Sequence, residues 1–384
     1  MSMHAKILHG ATDFGSPHFC ADLLWRTQFR VPDPVTLAEI DGKRYLLASS
    51  LEVERAHKQA RVDEVVHLES YAHAAKERGE SALVAFLKSK DIDTVEVSGG
   101  IPFHVGEDLS NHFSVSVCRE VFYPERICKQ PHEIAEIASA QAAVDRALER
   151  ACTVLNEARI SGEYITHPSY GEGVLTSEAV RDIIEHSLYQ DGFLASDTIV
   201  ACGIQAADPH MRGSGPLLAY QPIVLDIFPR SRTSLYFTDC TRTVFKGEPS
   251  QEMQALYEVV YEAQAGAIEK IRAGVDGFEI YEWVKNSFEE KGYPTNLSSR
   301  PVYGFIHGLG HGVGLEIHEE PRLGSCHAEL REDMVVTVEP GLYYPRPLGS
   351  IPAGGVRIED TIVAQKDYAF VLSRFPKRLE DVIL

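Results

Sequence analysis

The spacing of apolar and polar positions changes character part-way along the chain. Up to residue 124 the apolar runs are short. RYLLASS and TVEVSGG (94–100), bounded by glycine and charged residues, predict strands, and SALVAFLKSK (81–90) predicts an amphipathic helix. FYPERICKQPHE (122–133) then carries two prolines and mixed charge, a composition that predicts a domain boundary. Residues 1–124 are therefore expected to form a smaller α/β domain, and residues 125–384 a second one.

In the second stretch a longer rhythm appears twice. Pro131 suits a first helical turn, and Ile134, Ile137, Val144, Leu148, Ala151 and Leu155 recur at helical spacing. SEAVRDIIEHSL (177–188) predicts a second helix. Strand-like runs follow at 197–203, 221–228 and 235–245. The order then repeats. Ser250 is placed to cap a helix running to about Arg272, and Asp276 and Glu279 have capping-box spacing for a helix over 277–291. Strands are expected around 302–308, 333–344 and 354–363. Two similar half-domains, each of two helices then strands, would bring strands from both halves to one place.

Acidic residues interrupt those strand runs. Asp226 sits in IVLDIF. Asp239 sits in LYFTDCTRT, on the strand face of Leu235 and Phe237 by alternate counting. Glu339 sits in MVVTVEPG, and Glu359 sits in GVRIEDTIV with Arg357 two residues earlier on the same face. One such acid is most simply a strand-edge residue. Four of them, two per half, would repel strongly in a low-dielectric interior unless cations were present. Two divalent ions would balance four carboxylates, and a neutral histidine would complete the donor set. Oxygen-rich ligation of this kind suits Mn, Fe(II), Co or Mg.

The histidine candidates lie in HGLGHGVGLEIHEEP, residues 307–321. His307 and His311 have the i, i+4 spacing of a helical pair. Glycines at 308, 310, 312 and 314 argue against a helix, since each interior glycine costs about 1 kcal/mol relative to alanine. The segment is expected to be extended or looped, with glycines allowing close backbone approach.

Composition narrows the classes. The net charge of -19 has the wrong sign for nucleic acid or an anionic membrane surface, so neither is expected as a partner. The seven cysteines are odd in number and scattered without a CxxC pair, which argues against a disulfide framework and a thiolate zinc site. No apolar run reaches the roughly 18 residues of a membrane span, and the first residues lack a signal-peptide pattern, so a cytoplasmic location is expected.

Taken together, HGLGHGVGLEIHEEP, VTVEPGLYY, GGVRIEDTIV and LDIF…FTDCTRT resemble the creatinase/prolidase/aminopeptidase P group and, more distantly, methionine aminopeptidase. The resemblance covers the C-terminal two-thirds, down to LSRFPKRLEDVI. The first third resembles that family's smaller domain with weaker signals. The resemblance implies an α+β pita-bread catalytic domain of two pseudo-symmetric α/β halves, preceded by a smaller α/β N-terminal domain, in a homodimer. It implies two divalent metal ions, Mn first with Co, Fe or Zn as alternatives. Their ligands would be Asp226, Asp239, His311, Glu339 and Glu359, with Asp239 and Glu359 bridging and Glu339 orienting the attacking water or acting as its base. His210 and His318 would bind the substrate and shuttle protons, and His307 would line the cleft. Arg357 would partner Glu359 or anchor a substrate carboxylate. His167, His186 and His327 match nothing and are expected at the surface, and Cys240 is expected to be core filler. One departure stands out: the turn joining Asp226 to Asp239 is longer than the family usually has, and Phe228 stands where glycine is common.

The expected reaction is hydrolysis of Xaa-Pro bonds at the N-terminus of peptides or in dipeptides, by a hydroxide bridging the two ions. The proline amide offers no N–H to a protease that depends on that donor, whereas metal-assisted attack does not require it. Two alternatives compete: a metal-free, creatinase-like C–N hydrolase, and a non-catalytic binding module. Relatives of both kinds tend to lose metal ligands, and this sequence keeps all five.

Overall fold

Two units, Met1–Arg126 and Ile127–Leu384, are each built around their own apolar interior in the computed structural model, which describes residues 3–170 and 173–384. In the first unit six strands form one mixed sheet, in the order Glu64–His67, Lys43–Ala48, Val35–Ile40, Met3–Gly10, Ile92–Ser98, Ser114–Cys118. Strand alternation supplies two apolar faces. Ile7, Ala38 and Leu47 join one cluster, while their neighbours Leu8, Leu37 and Leu46 join another. The helix Ala82–Ser89 starts where expected, because the Ser81 hydroxyl accepts the Val84 N–H.

The second unit follows the doubled element order. Its first helix, Pro131–Glu157, opens on a capping box between Gln130 and Glu133 and buries Ile137, Val144, Leu148, Ala151 and Leu155. The helix Ser177–Gln190 is capped by Thr176. Strands Ile199–Cys202, Pro222–Ile227 and Cys240–Phe245 then form an antiparallel sheet. In the second half, Ser250 caps Gln251–Lys270 through Met253 N–H, and Asp276 caps Gly277–Glu290 through Phe278 N–H. The other Asp276 oxygen binds His327, so the expected capping box with Glu279 is replaced by a tertiary contact. Five strands follow in the order Glu319–Leu323, Gly310–Gly312, Val335–Val338, Asp360–Ala364, Ala369–Val371, beside a small pair, Gly341–Tyr344 with Gly354–Arg357.

Several strand expectations are corrected. Residues 235–239 are irregular, with Leu235 at φ 68°, so alternate counting across that run does not hold. The lengthened turn folds away from a simple hairpin: Arg230–Ser231 pairs with Phe193–Leu194 instead. Residues 302–308 form only isolated bridges. The runs 333–344 and 354–363 are each two strands, broken at Glu339–Pro340 and at Ile358–Glu359. Pro340 has no N–H to give to a ladder, which accounts for the first break.

Threonine hydroxyls stitch the two halves together. Thr361 Oγ1 accepts the Asp239 N–H at 3.2 Å and donates to the Asp239 carbonyl at 2.7 Å. Thr243 Oγ1 does the same for Arg357, at 3.1 and 2.9 Å. Glu359 N–H donates to the Thr241 carbonyl at 3.0 Å. These contacts set Asp239 of one half against Glu359 of the other.

Behind the seam lies a fully buried cation. The Arg242 guanidinium donates to the carbonyls of Glu359 at 2.6 Å and Phe375 at 2.8 Å and to the Asp360 carboxylate at 2.8 Å. Gln264 and Lys377 donate to the second Asp360 oxygen. Burial raises the Asp360 pKa, yet Arg242 and Lys377 outweigh it and hold this carboxyl well below the usual range. A depressed folded pKa gives stability that is full above the unfolded value near 3.9 and is lost as pH falls through the folded one. Asp360→Asn should therefore lose about 3–5 kcal/mol at pH 7, as when one partner of a buried pair is removed. In urea unfolding the gap to wild type should narrow as pH drops below about 4; a gap independent of pH would refute the charge role.

Candidate metal centre

All four acids and His311 line one cavity of about 580 Å³, and each is held there by a local feature of its strand. Asp226 is the penultimate residue of its strand, paired with Thr241. Asp239 immediately precedes Cys240–Phe245, and Glu339 and Glu359 occupy the two strand breaks. His311 sits in the short strand Gly310–Gly312, which the alternating glycines make possible. A Cβ on Gly310 would lie 2.0 Å from the Thr337 carbonyl oxygen, and one on Gly312 would lie 2.3 Å from that of Glu320. The close approach expected of these glycines is present, and the segment is extended rather than helical.

Within the cavity the structure gathers Asp239, His311 and Glu359 most tightly, with one donor atom from each within 4.8 Å of the others. His311 Nε2 is 3.7 Å from Asp239 Oδ2 and 3.5 Å from Glu339 Oε1. Its Nδ1 lies 3.1 Å from the Gly312 carbonyl, so that nitrogen carries the proton and the Nε2 lone pair faces the cavity. Asp226 is drawn aside: its Oδ2 accepts from Arg357 Nη2 at 2.6 Å. Arg357 also donates to Thr241 Oγ1 and to the Tyr343 hydroxyl at 2.8 Å, and its hydrogen-bond link to Glu359 runs through Thr241, whose hydroxyl donates to Glu359 Oε2 at 2.8 Å. His307 Nε2 meets the same Tyr343 hydroxyl at 2.9 Å.

The electrostatics show what is missing from the protein atoms. Burial first, then the neighbouring carboxylates, push Asp239 and Glu359 well above the usual carboxylate range, and burial pushes Glu339 up to about 7. Burial, followed by the adjacent His318, holds His311 down at about 3. Asp226 Oδ1, Asp239 Oδ1 and Glu359 Oε1 are buried without a hydrogen-bond partner. Buried, unpaired carboxylate oxygens converging on a neutral imidazole are costly as they stand. They fit a hard divalent cation, which supplies the missing charge and accepts their lone pairs.

His210 and His318 also line the cavity and are exposed there, while His307 is half-buried at its wall. His186 and His327 are exposed as expected; His167 is instead half-buried against Tyr170. Cys240 is fully buried as core filler. Sequence reading missed Arg322, an exposed cation lining the same cavity, and the three residues Thr241, Tyr343 and Thr361 that tie the acids together. Nothing in the sequence separates Arg322 from a surface arginine.

The profile of metallopeptidase family M24 matches residues 135–366. The chain belongs to this family. The resemblance read from its motifs is thereby borne out; M24 membership implies divalent metal ions, and the donor cluster is the candidate site for them. An Xaa-Pro dipeptidase of Pyrococcus furiosus is 30% identical over 316 residues, covering 79% of this chain and 82% of that relative. A second, from Pyrococcus horikoshii, is 31% identical over 295 residues, covering 75% of each. The solved prolidase of Pyrococcus furiosus superposes with a TM-score of 0.76 at 25% identity, covering 97% of each chain. The proline aminopeptidase P II of Yersinia pestis, at 21% identity and TM-score 0.77, shares the fold. The α+β pita-bread architecture expected from the sequence is the one these solved structures share. Among the described residues no helix is long and apolar enough to cross a membrane.

Adding Mn or Co to chelator-treated protein should raise its melting temperature progressively with concentration, as any ligand selective for the folded state does. Asp239→Asn should blunt the rise. A melting temperature indifferent to divalent ions would sink the assignment of these oxygens.

Proposed function

We propose that this chain is a metal-dependent exopeptidase that hydrolyses Xaa-Pro bonds, with Xaa-Pro dipeptides as its preferred substrates. The observation that carries the reading is the pairing, in one cavity, of an orphaned carboxylate–imidazole cluster with an uncommitted cation. Arg322 is exposed there and its side chain makes no ion pair or hydrogen bond among the described residues, yet it lies close enough to act on Glu339, His311 and His318. A guanidinium so placed can take the free carboxylate of a C-terminal proline as a bidentate pair. Arg357, the anchor considered from sequence, is buried and committed to Asp226 and Tyr343. The relatives named Xaa-Pro dipeptidase and prolidase support the same substrate class.

In this reading two ions, Mn first and Co, Fe or Zn as alternatives, would be held by Asp226, Asp239, His311, Glu339 and Glu359. When bound, such ions supply Lewis-acid polarisation of a peptide carbonyl and acidify water. Glu339, whose burial raises its proton affinity into the neutral range, takes a proton from the attacking water. His318 and His210 face the substrate from the open side and hold its carbonyl; one of them donates a proton to the departing proline nitrogen and is reprotonated from solvent, to which Glu339 releases the proton it took from the water. His307 is fixed through Tyr343 and closes the wall. The first unit is read as the smaller N-terminal domain of a homodimer. A metal-free hydrolase or a binding module would have no use for five converging donors.

Glu339→Gln should abolish turnover of Ala-Pro by at least about a hundredfold while far-UV circular dichroism stays native. Wild-type-like turnover in that variant would remove Glu339 from the proton path. The dipeptidase preference has its own check. Wild type should hydrolyse Ala-Pro faster than Ala-Pro-Ala, and Arg322→Met should raise KM for Ala-Pro by about tenfold or more while leaving Ala-Pro-Ala nearly unchanged. Equal losses on both substrates would place the carboxylate anchor elsewhere.

A further inference from the structure

Glu319 begins as a conspicuous charge in the HEEP segment and ends as a buried one. Its Oε2 lies 2.8 Å from Lys129 Nζ, and the two side chains are 4% and 1% exposed. Lys129 lies just ahead of the Pro131–Glu157 helix, and its own N–H donates to the Asp333 carbonyl at 2.8 Å, which fixes the root of the side chain. The other Glu319 oxygen accepts the Glu316 N–H at 3.0 Å. Gly314 N–H donates to the Glu316 carbonyl at 3.1 Å, and the Gly314 carbonyl accepts from Phe237 N–H at 2.8 Å. A Cβ on Gly314 would stand 2.5 Å from Glu319 Oε2, so the turn is wrapped directly on the carboxylate.

That turn carries Ile317 and His318 into the cavity. The His318 ring meets His311 edge-on, with centroids 4.4 Å apart. Among the described residues no side-chain hydrogen bond holds the His318 ring, so its place is set by the backbone beneath it. The backbone in turn depends on a carboxylate that can stay inside only while a cation neutralises it.

We infer that the Lys129–Glu319 ion pair positions His318, by holding the 314–318 turn in place beside the cavity. Lys129 and Glu319 are positioning residues that touch neither substrate nor metal. The inference rests on the peptidase reading, in which His318 meets the substrate.

The test uses Lys129→Met and, as a gentler variant, Glu319→Gln, which keeps an acceptor for Glu316 N–H while removing the charge. Hydrogen exchange at Glu316 should speed up by about tenfold in Lys129→Met without general loosening of the unit. On Ala-Pro, kcat should fall by about ten- to a hundredfold at unchanged metal content, the range typical of partners that orient a functional group. In a double-mutant cycle, adding Lys129→Met to His318→Ala should cost less than about twofold more. Full additivity in that cycle, or unchanged exchange at Glu316, would overturn the positioning role. If Lys129→Met does not fold, Glu319→Gln takes its place in the cycle, where non-additivity supports the role and additivity overturns it. A wild-type chain inactive on Ala-Pro would instead sink the peptidase reading, and the role of His318 with it.

Discussion

Repulsion among carboxylates withdrawn from water is the constraint around which the second unit is organised. Asp226, Asp239, Glu339 and Glu359 converge on one cavity, three of them leave a buried oxygen without a partner, and burial raises the proton affinity of three. Such a cluster cannot arise in one strand. It needs the ends of several strands brought together, and the chain supplies them by ending or breaking each strand at the acid. The threonine stitches between Cys240–Phe245 and Gly354–Ala364 then hold the two halves in register against that repulsion.

Three arginines around the cluster divide the labour according to their burial. Arg242 is sealed behind it and directs its donors to backbone carbonyls and Asp360, so it acts as part of the framework. Arg357 lies at the side, buried but reaching in, and it neutralises Asp226 while locking Tyr343 and His307. Arg322 stands exposed in the open cavity, and it is the guanidinium proposed above to take the substrate carboxylate. On the proposed reading the same guanidinium chemistry would serve scaffold, ligand orientation and recognition, with desolvation and prior commitment separating the three.

The glycines set the other limit. Gly310 and Gly312 let the His311 strand press against neighbouring carbonyls, and Gly314 lets its turn fold onto Glu319. Side chains at these positions would push His311 away from Asp239 and Glu359, or displace the turn that carries His318. The lengthened turn after Asp226 is accommodated separately. It pairs with Phe193–Leu194 and sends Phe237 N–H to Gly314, leaving the cluster in place and lending support to the His318 turn.

The chain's local patterns were legible because they depend on near neighbours. Apolar spacing and capping residues marked the long helices, alternating glycines ruled out a helix at 307–314, and acids inside apolar runs marked the cluster before any fold was known. Other features were beyond that reach. Residues 235–239 look like a strand but are bent into an irregular loop, and 333–344 and 354–363 look continuous but break at the glutamates. Glu319 looks like solvent-facing charge but is buried on Lys129, and Arg322 carries no mark that separates it from a surface arginine. The sequence by itself determined which residue types would have to meet a cation, because an unpaired carboxylate in an apolar run is costly wherever it lands. Only the tertiary structure decided which charge meets which, since those partners lie a hundred or more residues apart and are chosen by how two sheets close on each other.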